Sequence, residues 1–242
     1  MGGLLRLIPV AIVLGCSVTA AAAWTPETRV RLVDEAVRLM PTSLRLVLEK
    51  RAVEIRRGML GPMASEDDPS HRAPWLEGTL DEALAAEVRE LVGALEQQTP
   101  FNELAMRFGR IAHYVADSGF PPGMTADGDS RYQHFAGFCE SRRERFPLVF
   151  YGHDDTALSD GDYRAYALGV MHRARDNDRE LARAYASAGD PPDPDSFDDR
   201  SVPFAVGSLS YSQTFTDIVR VWLAAWEQAG GDMGRTPYRK SR

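Results

Sequence analysis

His113 and Asp117 lie four residues apart in a segment of helical period, a spacing that stacks an imidazole above a carboxylate on one helix face. Neutral imidazole nitrogen and carboxylate oxygen both suit zinc, and one helix can present them as two ligands of one ion. The same pair also suits a plain hydrogen bond between packed helices, and spacing alone leaves both readings open. Other histidines are His71, which follows the acidic run Glu66-Asp67-Asp68, His134, His153 beside Asp154 and Asp155, and His172 beside Arg173. The last two read as surface histidines.

The pair needs a helix to hold it. Thr99 is a plausible N-cap with Pro100 at the first helical position, and the segment stops near Gly119, before Pro121-Pro122. Its core stripe is Phe101, Leu104, Ala105, Phe108, Ile111, Ala112 and Val115; His113 and Asp117 fall on a second face with Met106, Gly109 and Ala116. Six more segments have the same period. They run from Thr25-Pro26 to Met40, from Thr42 to Arg57 with Gly58 as terminator, from the capping box Thr79-Leu-Asp-Glu82 to about Gln98, from Arg131 to Arg145, from Asp162 to Ser187, and from Val206 to Ala229. In the last of these, Tyr211, Phe215, Trp222 and Trp226 sit at core spacings. Period-two alternation is scarce, so the expected fold class is all-α, with about seven helices. Three irregular connections separate them: 59–78, 119–130 and 189–200. The first two flank the histidine and aspartate positions and suggest a binding role. The third is rich in aspartate and proline and reads as a solvated linker.

The chain has 242 residues, 28 basic and 35 acidic, and a net charge of −7. That balance gives no strong nucleic-acid footprint, although it leaves room for a metal-assisted site for one phosphate. Residues 1–23 read as an export signal, with Arg6 ahead of an apolar run from Leu7 to Val18 and small residues at Ala20 to Ala23. Two ends of that signal compete. Cleavage after Ala23 makes Trp24 the first mature residue, whereas Val13-Leu14-Gly15-Cys16 resembles a lipoprotein box that would tether the chain by a lipid at Cys16. Either way the protein is expected to be exported, periplasmic or extracellular, with residues 24–242 as one all-α domain. Cys139 is then without an intramolecular partner and reads as a small buried residue.

Taken in order, Trp24, the acidic run before His71, His113 with Asp117, and His134 resemble the zinc-dependent phospholipases C and the single-strand nucleases related to them. His-Tyr-x-x-Asp followed by prolines is the most specific match. The resemblance implies an all-α domain with up to three zinc ions and a mature amino-terminal tryptophan that binds one of them. Carried over by position, it implies that His71, His113 and Asp117 hold one zinc, assisted by Asp67 or Asp68, that His134 is a ligand of a second metal, and that Trp24 is a ligand of a third. Three departures reduce the set: Arg29, Gly123 and Phe138 stand where the family has metal-binding side chains, and Glu140 is displaced by two positions. The expectation is therefore an exported phospholipase C-like phosphodiester hydrolase with one zinc, an acidic residue (Asp67 or Asp68) as base, and a phospholipid head group or nucleotide as phosphoester substrate. The competing expectation is a non-catalytic exported helical binding or structural protein of the same descent. Arg29 has two open roles: a guanidinium in place of a metal ion, holding Asp117 and the Trp24 carbonyl, or a surface arginine on the first helix.

Overall fold

The computed structural model describes residues 23–65, 67–189 and 196–239. Residues 1–22, on which most of the expected export signal and Cys16 fall, and Glu66 of the acidic run lie outside the described residues. The described residues are all-α: α1 (Pro26–Arg38), α2 (Thr42–Lys50), α3 (Ala52–Leu60), α4 (Leu80–Glu96), α5 (Phe101–Ser118), α6 (Asp129–Arg142), α7 (Thr156–Ser159), α8 (Tyr163–Ala188) and α9 (Val202–Gln228), joined by five short 3-10 turns and with no strand among them. None of these helices is long and apolar enough to cross a membrane.

The expected stripe of α5 is buried from Leu104 to Val115, but its second face is covered as well. α5 packs on α4, α9 and α3, so that His113 and Asp117 are enclosed. Trp222 of α9 donates its indole N–H to the Phe108 carbonyl at 2.9 Å and meets the Phe108 ring edge-on, fixing α9 against α5. At Gly58 and Gly109, α3 comes closer to α5 than side chains allow. A Cβ at Gly109 would stand 2.1 Å from the Ile55 carbonyl oxygen, and one at Gly58 would stand 2.0 Å from the Met106 carbonyl oxygen. Gly58 therefore does not end a helix, as the sequence suggests. It lies inside α3, which runs to Leu60, and its missing side chain admits the backbone of α5. The break comes earlier, at Arg51, which splits the expected 42–57 helix in two.

Other helix ends shift by a few residues for local reasons. Pro100 rather than Thr99 occupies the cap position of α5, and Thr79 caps α4 without a side-chain hydrogen bond. α9 starts at Val202 because the Ser201 hydroxyl accepts from the Phe204 amide and Pro203 sits in the first turn. The 59–78 connection is not shapeless: turns at Gly61–Ser65, Pro69–His71 and Pro74–Leu76 fold it over α5. Trp75 pins it down, donating to the Met124 carbonyl at 2.9 Å and stacking on His172 of α8, whose exposed ring thereby has a structural use.

Two buried carboxylates within the helix interfaces are paired. Asp178 of α8 accepts from Arg131 and from Thr125, tying the 119–130 connection to α8. Asp217 of α9 accepts from the Tyr166 hydroxyl and from Arg173, both at 2.6 Å. Burial pushes the Asp217 carboxyl above its usual value of 3.8, and Arg173 and Tyr166 only partly offset that. A carboxyl with a raised folded-state pKa stabilises the fold when protonated, below about pH 3.8, and that contribution is lost as pH rises through the folded value. Asp217→Asn should therefore gain on the wild type as pH rises from 3 towards neutrality, measured by urea unfolding across that range; a pH-independent difference would contradict it.

Candidate metal centre

Two ligand candidates come from α5 and one from the turn that precedes α4. Asp68 caps the Pro69–His71 turn by accepting from the Ser70 amide at 2.8 Å, which aims His71 inward at α5. His71 Nδ1 then stands 2.7 Å from Asp117 Oδ2 and 3.2 Å from His113 Nε2, and His113 Nε2 is 3.1 Å from Asp117 Oδ2. Among the described residues this is the cluster of histidine and acidic side chains that could hold a metal ion. The side chains of His71, His113 and Asp117 are 6%, 0% and 7% exposed.

The tautomer of His113 follows from its other nitrogen. Nδ1 is 2.8 Å from the Met59 carbonyl oxygen, which can only accept, so the proton belongs on Nδ1 and the Nε2 lone pair faces the cluster. Arg29 Nη1, 3.0 Å from that same nitrogen, has its acceptor in the His113 carbonyl oxygen at 3.5 Å. Three lone-pair atoms this close repel one another unless something positive lies among them, a proton or a cation. A tetrahedral zinc with bonds of about 2.0–2.1 Å keeps its donor atoms roughly 3.3 Å apart. The separations here approach that edge length, and two imidazole nitrogens with one carboxylate oxygen are a zinc donor set, so the residues fit one zinc.

They do not fit more. Arg29 is fully buried, and its guanidinium reaches Asp117 Oδ1 at 2.5 Å through Nη2 and the Trp24 carbonyl oxygen at 2.9 Å through Nε. Of its two open roles, the surface arginine is therefore excluded. Burial would push the Asp117 carboxyl up, but the charges and hydrogen bonds of His113, Arg29 and His71 outweigh it and hold it well below the usual carboxylate range. Asp117 is thus divided: Oδ1 serves the guanidinium and Oδ2 the imidazoles.

The other expected site residues lie elsewhere or are engaged otherwise. Trp24 is buried between the rings of Phe120 and Tyr211, with its carbonyl committed to Arg29. His134 Nδ1 is 2.7 Å from the Tyr185 hydroxyl and its ring meets Phe197, apart from the His71 cluster. Asp67 is exposed, and Asp68 is engaged in capping; neither supplies an atom to the cluster. Glu140 accepts from the hydroxyls of Thr25 and Thr28 and from Arg143, which ties α6 to the start of α1. Gly123 and Phe138 supply no ligand, as their types require. The sequence did not point to the Met59 carbonyl, because a backbone acceptor has no side-chain signature. The two helix-interior glycines, Gly58 and Gly109, were the available hint that α3 and α5 touch there.

No family model matches this chain, and no curated protein matches its sequence. Its structure is similar to that of the Clostridium perfringens alpha-toxin isolated from avian strain SWCP, with a TM-score of 0.52 and 14% sequence identity, over 88% of this chain and 66% of that one. The chain spans slightly less than two thirds of the toxin chain. At this identity the likeness is one of fold, and it agrees with the all-α phospholipase C type of architecture expected from the sequence.

Proposed function

We propose that this chain is an exported phospholipase C-like phosphodiester hydrolase with a single zinc held by His71, His113 and Asp117. The observation that carries the reading is the convergence of His71 Nδ1, His113 Nε2 and Asp117 Oδ2 within 3.2 Å of one another. The fold likeness to alpha-toxin supports the class of chemistry. A zinc in such a site lowers the pKa of a bound water to about 7 and polarises a phosphoryl oxygen.

The residues around it divide the remaining tasks. Met59 keeps the His113 lone pair directed at the centre, and Arg29 neutralises Asp117 while leaving Oδ2 free. Asp68, kept ionised by hydrogen bonds from Ser70, caps the turn that carries His71 to the centre. Export rests on the leader at 1–23, and the substrate is a phosphoester. The second reading, a non-catalytic descendant that keeps the metal for structure, is favoured by one observation: the three donor side chains are more than nine-tenths buried.

Metal analysis of the full chain purified without an amino-terminal tag separates these. We expect about one zinc per chain, lost in His113→Ala, with hydrolysis of bis(4-nitrophenyl) phosphate that follows zinc content. No zinc after reconstitution would end the first reading; one zinc with no hydrolysis would leave the second.

A further inference from the structure

Arg29 is a permanent cation with no exposed surface, and such a charge persists inside a protein only where acceptors surround it. Its nitrogens reach the carbonyl oxygen of Trp24, the carboxylate Oδ1 of Asp117 and the carbonyl oxygen of His113. Carbonyl and carboxylate oxygens are also groups that divalent cations take as ligands. Asp117 therefore lies between two places suited to positive charge. Its Oδ2 side faces His71 Nδ1 and His113 Nε2, and its Oδ1 side faces the guanidinium.

We propose that Arg29 is a resident second cation of the centre: it takes the place of a second metal ion, limits the protein to one, and holds the centre together before that ion arrives. The charges support this. Arg29 and Asp117 cancel, so the donor set on the Oδ2 side is neutral overall, and a second divalent ion at Asp117 would face both the first ion and the guanidinium at short range. The planar fork matters as much as the charge, because a single ammonium cannot span Trp24, Asp117 and His113 together.

This rests on the one-zinc reading above for the Oδ2 side, and the test keeps the two separable. Arg29→His replaces the cation with a ligand that Asp117 Oδ1 and the Trp24 carbonyl could join. Full-length wild type and variant are equilibrated with zinc and freed of excess, and zinc per chain is counted, with unfolding temperature measured with and without the metal. The variant should hold about one zinc more than the wild type and show the larger zinc-induced rise in unfolding temperature. Equal zinc content in the two proteins would overturn the proposal. If the wild type holds none and the variant one, the resident cation stands and the one-zinc reading falls. A variant that is unfolded without metal but regains its helical circular dichroism with zinc supports the proposal, and one that stays unfolded at saturating zinc overturns it.

Discussion

Asp117→Ala should destabilise the protein by roughly 3–5 kcal/mol and abolish zinc binding, the first read by urea unfolding and the second by metal analysis. The size follows from what the carboxylate does on each side. Oδ1 is the counter-charge of a guanidinium with no exposed surface, and Oδ2 faces two imidazole nitrogens at 2.7 and 3.1 Å. Truncation leaves Arg29 buried with a full charge and only neutral acceptors, and such an orphaned charge costs far more than the intact pair contributes. Asp117→Asn is gentler in volume but not in chemistry, since one end of an amide must turn N–H donors towards Arg29 or His71. A loss below 1 kcal/mol for the alanine variant would mean that Arg29 relaxes to solvent and that the centre is not preformed.

Gly109→Ala carries the second large effect, and it acts through backbone. The added methyl would meet the Ile55 carbonyl oxygen at 2.1 Å and the Met59 amide nitrogen at 2.8 Å. Overpacking against side chains costs about 1–3 kcal/mol because they can turn aside. Here α3 itself must move, so a cost of about 3 kcal/mol or more is expected. The same movement displaces the Met59 carbonyl from His113 Nδ1, where it now sits at 2.8 Å. Loss of such an orienting partner typically lowers metal affinity by about 10–100-fold, which competition with a chromophoric chelator would measure. Gly93→Ala is the control: it lies inside α4 with nothing within 4 Å of the new Cβ and should be neutral or stabilising by up to roughly 1 kcal/mol. Equal effects from the two substitutions would refute the contact argument.

The all-α class was legible because long segments such as 206–229 keep a helical period, and of the core aromatics expected there Tyr211, Phe215 and Trp222 are buried while Trp226 is only partly so. His71, His113 and Asp117 could be named as a group only through a family order of residues, since no local rule brings a residue 42 positions away onto α5. Helix ends were less legible. Gly58 has the residue type of a terminator, and only the approach of α5 decides that it is an interior contact. The placing of His134 against Tyr185 was equally hidden, because tertiary packing of α6 on α8 rather than residue type determines its neighbour. For Arg29, sequence offered two roles of similar standing, and burial selects between them.

The contacts that build the centre also have a place in the order of folding. His71 is 42 residues from His113, while Arg29 is 84 from His113 and 88 from Asp117. Pairings of that range must overcome the entropy of closing long loops, which local helix formation does not. The centre closes only after the start of α1 and the 59–78 segment have both docked on α5. On the one-zinc reading, metal uptake is then a reporter of finished tertiary structure, and a chain caught between helix formation and docking would have every proposed ligand and no site.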